Sequence, residues 1–339
     1  MTNLLSGIVV SSRIRLARNI KGYNFPAELK NSDDAKKIIN LTMSALGKYG
    51  KFKFARMSEC DPMSREALKE RYIISDALTK SKIGAVAYSE SGDLSVMINE
   101  EDHIREQYLV RGNDLNGAFA CLSRLDSWLD VNLHFCKSER LGYITACPTN
   151  LGTGMRASIM MFLPGHTKLG RMDEMESRAR RYNLTVRGAF GEGSEGDSFL
   201  YQISNEVTLG RSERSMINDV LDFVGDVADN ELELQRIYYR SDELRMEDKI
   251  FRSLGTLLYC RRISYGEFSS ALSDIKLGVL LGLIDVKKVE PLDDLLISAR
   301  PCYLLELSDD RRDGYTNPVY RDELRAKFVR ERLATLIKN

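Results

Sequence analysis

The feature that most constrains this chain is a change of pattern near residue 240. Upstream, short alternating or apolar runs bounded by turn residues trade places with segments of helical period. Downstream only the helical period remains, interrupted at Pro291, Pro301 and Pro318. The pattern predicts an α+β domain over residues 1–235 and an all-helical domain over 236–339. The 339 residues fit two domains of about 100–200 residues each, and 43% hydrophobic content supplies both cores. In the first domain, residues 8–16 read as a strand, and 32–48 and 64–79 as amphipathic helices. Residues 85–89 and 94–98 flank Glu90, Ser91, Gly92 and Asp93, a hairpin signal. Leu115, Ala118, Leu122, Leu125, Leu129 and Leu133 recur at helical spacing and predict a helix over 114–133. Further strands are expected at 156–163, 184–190 and 199–209, with a helix between His166 and Tyr182. Ser212 is expected to cap a long helix ending near Tyr239.

The 49 basic and 49 acidic side chains cancel, which excludes a blanket binder of nucleic acid or other polyanions. Of the basic residues 31 are Arg and 18 Lys, and guanidinium is the fork suited to phosphate and carboxylate. Cys60, Cys121, Cys136, Cys147, Cys260 and Cys302 lie far apart without a CxxC pair, the usage of reduced thiols in a cytoplasm. The longest apolar stretch, residues 277–284, is far short of the about 20 residues that span a bilayer. The first residues lack the charged start of a signal peptide. A cytoplasmic protein without membrane contact is expected.

Four stretches carry chemistry. In SerSerArgIleArg, residues 11–15, strand alternation puts Arg13 and Arg15 on one face about 7 Å apart, able to grip adjacent phosphates or to stand solvated. In AsnGluGluAspHis, residues 99–103, three adjacent carboxylates repel one another unless a metal, a basic substrate or a nearby arginine such as Arg105 sits among them. A plain charged turn is the alternative. CysProThrAsnLeuGlyThrGly, residues 147–154, makes a glycine loop whose backbone N–H groups can approach an anion, with Arg156 following. Cys147 reads either as an activated thiolate or as a structural cysteine. ArgGlyAlaPheGlyGluGlySerGlu, residues 187–195, is a glycine-rich loop with two carboxylates, suited to closing over a cation or to an ordinary hairpin.

Together, in this order, these stretches resemble the phosphagen (guanidino) kinase family over residues 8–235. Residues 99–103 and 147–154 are the most specific part of the likeness. Small-molecule members carry a helical domain before the first arginine pair. Here the pair begins at residue 13 and a helical domain follows instead, the layout of the bacterial protein-arginine kinases. ArgAspGluLeuArgAla, residues 321–326, resembles a motif that forms a phosphoarginine pocket in that branch.

The resemblance implies an α+β fold of the phosphagen-kinase, glutamine-synthetase-like type. That is a largely antiparallel sheet flanked by helices, followed by a helical domain for dimerisation and phosphoarginine binding. It implies an ATP- and Mg²⁺-dependent kinase of arginine in proteins, with a kinase of a free guanidino metabolite or a non-catalytic adaptor as alternatives. Ser11, Ser12, Arg13, Ile14 and Arg15, with Arg105, Arg156 and Arg187, correspond to the ATP-phosphate clamp. Ala157, Ser158, Ile159, Met160, Gly188, Ala189, Phe190, Gly191 and Glu192 would line the nucleotide. Glu101 matches the catalytic carboxylate, Glu195 the second carboxylate holding the guanidinium, and Cys147 the active-site thiol. Tyr72 stands where related kinases carry an adenine-contacting histidine. Arg321, Asp322, Arg325 and Ala326 would bind phosphoarginine. The likeness also implies a zinc-binding activator protein, a heat-shock repressor and Clp-type degradation as partners, and a homodimer or larger homo-oligomer.

Overall fold

The computed structural model describes residues 7–29, 33–188, 198–308 and 317–337. Ten strands are seen among them: β1 (Val9–Arg18), β2 (Lys53–Arg56), β3 (Ala85–Tyr88), β4 (Leu94–Ile98), β5 (Ile104–Arg111), β6 (Lys137–Ser138), β7 (Gly142–Tyr143), β8 (Met155–Phe162), β9 (Leu184–Gly188) and β10 (Leu200–Asn205). Eight form one sheet in the order β2-β3-β4-β5-β1-β8-β10-β9, with every neighbouring pair antiparallel. The long central strand β1 is thus flanked by β5 and β8.

The back of the sheet is covered by helices whose apolar stripes follow the helical period. On α1 (Asp33–Tyr49) the stripe is Ala35, Ile38, Ile39 and Leu46. The helices α2 (Pro62–Glu70) and α3 (Asp76–Thr79) lie toward the β2 edge and close a small satellite core around Met57, Ile73 and Met97. Residues 64–79 therefore do not form the single helix expected. Tyr72 sits at φ 60, outside the right-handed helical region, and Ser75 then caps a new helix through Leu78 N. On α4 (Leu115–Leu133) the predicted leucine stripe is buried, and the Trp128 indole donates to Ala45 O of α1 at 2.9 Å. The expected helix between His166 and Tyr182 is likewise two, α5 (Pro164–Lys168) and α6 (Met172–Arg181), separated by Gly170 at φ +67. The long helix α7 (Glu213–Ser241) is capped by Ser212 as expected and buries Val220, Phe223 and Val227.

Helix α7 runs straight through residue 235. The break falls at Asp242, which ends α7 and whose carboxylate accepts from Arg245 N to start α8 (Glu243–Tyr259). The helices α9 (Tyr265–Leu280), α10 (Glu290–Ser298), α11 (Pro301–Ser308) and α12 (Pro318–Leu336) follow, with a core of Ile250, Phe268, Ile275, Leu292 and Val329. Pro291, Pro301 and Pro318 begin helices here, since proline lacks only an N–H that the first helical turn leaves unused. This second core extends to the sheet through Phe162, Phe199 and Leu200. Lys276 ties the two, ion-paired with Asp293 at 2.5 Å and lying over the Phe162 ring.

Candidate active site

Register alone assembles the front of the sheet. Residues paired across an antiparallel ladder point to the same side. Arg13 lies opposite Leu109 and Ser158, and Arg15 opposite Gln107 and Arg156. Arg105 lies opposite Ala17, and Arg187 opposite Gln202, itself opposite Met160. Four strands thus bring Arg13, Arg15, Arg105, Arg156 and Arg187 to one face. Ser12, Ile14, Ala157 and Ile159 alternate to the back and are buried there. The Ser12 hydroxyl is engaged with Gly112 O and Asp114 N. The side chains of these four residues therefore face away from the front, which leaves only their backbone toward it.

Four of the five guanidinium groups have no carboxylate within ion-pair distance among the described residues. Arg105 is the exception, its Nη1 donating to both Glu100 oxygens at 2.8 and 2.9 Å. Arg13 donates to the neutral Gln202 Oε1 at 2.9 Å, and Arg156 Nε to Ser204 Oγ at 3.3 Å. The Arg15 Nε is buried with no hydrogen-bond partner. Burial and the mutual repulsion of neighbouring guanidinium groups push Arg13 down to about 10 and hold Arg15 well below the usual arginine range. Arg156 is lowered by burial, Arg187 and Arg105. A buried donor without a partner, inside a crowd of like charges, defines a site for a polyanion.

The acidic turn sorts its three carboxylates. Glu100 is buried and accepts from Arg105, from Ser75 Oγ at 2.6 Å and from Glu101 N at 2.8 Å. Burial works to raise its pKa, but Arg105 and these donors hold it below the usual value. Asp102 is also buried, accepting from Asn19 Nδ2 at 2.6 Å and Ala146 N at 2.7 Å. His103 is neutral by its partners, since Nδ1 accepts from Ile20 N and Nε2 therefore donates to Asn24 O. Burial lowers its pKa in the same sense. Glu101 alone is exposed. Burial of its carboxyl, Asp102 and Glu100 raise its pKa, while Arg105 and the Cys147 thiol pull the other way.

Glu101 opens into a cleft of about 110 Å³ lined also by Arg15, Arg105, Thr149, Asn150 and Arg156. The glycine loop supplies the far wall. Gly154 sits at φ +62, where a Cβ would come within 2.6 Å of Ala17 O, so the loop lies against β1 only because the residue is glycine. Thr208 Oγ1 holds the loop carbonyls of Thr149 and Leu151 at 2.9 and 2.7 Å. The Cys147 thiol stands 3.0 Å from Thr149 Oγ1, with no histidine needed to place it.

Further along the same face a cavity of about 210 Å³ brings together Ser11, Tyr72 and Met160. Gly188 ends β9. Ala189, Phe190, Gly191, Glu192 and Glu195 lie outside the described residues. The ArgAspGluLeuArgAla segment, residues 321–326, differs from a free pair of arginines. Arg325 is buried, donating to Ala299 O and Ile263 O at 2.9 Å and to Asp322 Oδ1 at 2.6 Å, and Ala326 is buried beside it. Arg321 and Asp322 are half-buried. Gln107, Gln202 and Ser204 are front-face residues that sequence reasoning missed. Strand parity from Arg13 and Arg156 would have found them had the pairing been known.

The chain matches the family model described as ATP:guanido phosphotransferase, C-terminal catalytic domain, over residues 34–234. It matches the protein-arginine kinase McsB C-terminal domain over residues 243–339. It is 39% identical over 333 residues to a protein-arginine kinase of Bacillus velezensis, covering 97% of this chain and 90% of that one. To a protein-arginine kinase of Geobacillus stearothermophilus it is 40% identical over 334 residues, covering 97% and 91%. The duplicated taurocyamine kinase of Schistosoma mansoni with bound transition-state analogue components superposes with a TM-score of 0.62 at 25% identity, over 70% of this chain and 35% of that one. A lombricine kinase structure, at 24% identity and a TM-score of 0.61 over 68% of each chain, shares the fold.

Proposed function

The chain belongs to the protein-arginine kinases of the ATP:guanido phosphotransferase family, and from that premise we propose how its side chains divide the work. The enzyme moves the γ-phosphoryl group of ATP to a guanidinium nitrogen of arginine in proteins. One observation carries the assignment of roles: five arginines share a sheet face with one bonded carboxylate among them, and the free carboxylate of Glu101 opens into the same cleft as Arg15, Arg105 and Arg156.

A substrate guanidinium is a poor nucleophile, charged at any ordinary pH with its lone pair delocalised. Glu101 holds it and accepts its proton as the nitrogen–phosphorus bond forms and the bond to the ADP oxygen breaks. A raised pKa suits a base of this kind, because the proton is then taken up more readily. Glu100 and Asp102, locked by Arg105, Asn19 and Ala146 N, hold the turn so that Glu101 alone faces the cleft. Glu195 is the second carboxylate and Cys147, which acts on Glu101, the active-site thiol, both by family likeness. The arginines match the charge that spreads over the transferring oxygens. Ser11, Met160 and Tyr72 receive the adenosine end in the 210 Å³ cavity.

Mg²⁺ would enter as a companion of ATP, carried largely by the nucleotide's own oxygens and by water. When bound it neutralises charge on the β- and γ-phosphates. We assign catalysis to residues 1–235 and dimerisation and phosphoarginine recognition to 236–339, with Arg325 and Asp322 as the preformed floor of that second site and Arg321 at its rim. The family likeness supports a cytoplasmic homo-oligomer that marks proteins for Clp-type degradation and acts on a heat-shock repressor, with a zinc-binding activator protein.

Incubation with labelled ATP and Mg²⁺ tests the reading, with casein or free arginine as acceptor. Label should enter casein and leave it in acid, as a phosphoramidate does. Acid-stable label, or transfer to free arginine alone, would overturn it.

A further inference from the structure

The 210 Å³ cavity is only half made by the catalytic sheet. Its other wall comes from α10 and α11 of the helical domain, through Asp294, Ile297, Ser298 and Tyr303. The two walls are tied by an Arg111–Asp294 ion pair at 2.5 Å, by Arg71 over the Tyr303 ring, and by a fastening at Tyr72. Arg300, between α10 and α11, donates from Nη2 to the Tyr72 hydroxyl at 2.6 Å and from Nη1 to Glu70 O at 2.9 Å, with its guanidinium 4.6 Å from the Tyr72 ring centre. The Glu70 carboxylate answers by accepting from Cys302 N and Tyr303 N at 2.9 and 2.7 Å, the unpaired N–H groups that open α11. Tyr72 sits in the left-handed region, unfavourable for a tyrosine, and must be held from outside its own turn. From the sheet, Gln107 donates to Tyr72 O at 2.6 Å, and Gln107 is the register partner of Arg15. From the helical domain, the hold is Arg300.

We propose that the helical domain forms the second wall of the base pocket, with Arg300 as the positioning residue that fixes it, so that affinity for the adenosine part of ATP is set partly outside the catalytic domain. This rests on the reading above that the base lies in this cavity. Tyr72, which Arg300 fastens, itself lines the cavity, which begins at Ser11, two residues along the strand from Arg13. Helix α12 reaches the same point, because Arg325 Nε holds the carbonyl of Ala299, the neighbour of Arg300.

The test compares two ligands on the full chain by calorimetry: ATP, which has a base, and inorganic tripolyphosphate, which has none. With the wall no longer fixed against Tyr72, Arg300→Met should weaken ATP by about tenfold or more. The KM for ATP should rise by the same factor with kcat within about twofold, and tripolyphosphate should bind unchanged. Arg300→Lys, which keeps one donor and the charge, should recover part of the loss. Ser298→Phe fills the cavity from the helical side without touching the fastening, and should weaken ATP alone. That variant decides the matter if Arg300→Met fails to fold. Equal weakening of both ligands, or unchanged ATP binding in a folded Ser298→Phe, overturns the proposal. Arg156→Ala separates the two readings: it should weaken both ligands, and if it weakens neither, the nucleotide does not lie on this face and the assignment of the site falls first.

Discussion

Strand β1 carries three arginines of identical chemistry and opposite fate. Arg18 points to the back of the sheet, where Asp126 takes its Nε and Nη2 at 2.7 and 3.1 Å, the carbonyls of Ala17 and Thr153 take Nη1, and the Tyr143 ring lies 3.5 Å away. Burial opposes its charge, yet Asp126 and these contacts raise its pKa. Arg13 and Arg15 point to the front, half-buried and facing other arginines and a glutamine, and their pKa values fall. The fold completes the back arginine by itself and leaves the front pair for a ligand to complete. Charge that is buried and answered is structure; charge that is buried and unanswered is a binding site.

The comparison breaks most visibly by exchanging which arginine is lost. Arg15→Met should lower phosphoryl transfer by about 10³-fold or more, the scale of a transition-state arginine, while thermal melting stays level or rises because a repelling buried charge is gone. Arg18→Met should do the reverse to the fold, leaving Asp126 buried and unpaired at a cost of about 3–5 kcal/mol. Melting curves and single-turnover rates on both variants check this. A destabilised Arg15→Met, or an Arg18→Met that melts like the parent, would erase the distinction between the faces.

How much of this was legible beforehand follows from the same alternation. The pair Arg13 and Arg15 showed because an apolar strand made its parity visible, and the leucine stripe of α4 showed because its period is unbroken. Strand β5 did not show, although it carries Arg105. Its sequence, Ile-Arg-Glu-Gln-Tyr-Leu-Val-Arg, places a charge on both faces, since Glu106 goes to the back and is buried there. Polar residues on both sides of a strand erase the alternation that reveals one. The turn at Tyr72 was invisible for another reason: its left-handed backbone is held by Gln107 and Arg300, 35 and 228 residues away in sequence.

Acidic residues repeat the contrast and give the next largest effect. Glu101→Gln on the front keeps the shape but loses the proposed proton acceptor, so the rate should fall at least about 10²-fold with ATP binding kept. Because its pKa is raised, the parent rate should decline as pH drops through a value above the ordinary glutamate range, and this limb should vanish in the variant. A variant at near-parent speed would move the base to Glu195.

The smallest effect belongs to Glu106, the buried acid on the back. Neither of its oxygens has a donor; Asp126 repels its charge and Arg18, already taken by Asp126, opposes that only in part, so a proton on Glu106 is what lets the two carboxyl groups lie together. Burial and Asp126 raise its pKa well above the usual value. The sign follows: the folded state binds this proton more tightly than the unfolded chain, so its contribution to stability is full below the unfolded pKa of about 4.3. It is lost as pH rises through the higher folded value. Glu106→Gln, uncharged at every pH and able to donate to Asp126, removes that dependence. Denaturant melts should show the variant more stable than the parent at neutral and alkaline pH, with the advantage shrinking toward pH 4, and kcat unchanged throughout. An advantage that grew on acidification would mean that Glu106 is ionised in the fold, and that the back of the sheet tolerates unanswered charge just as the front does.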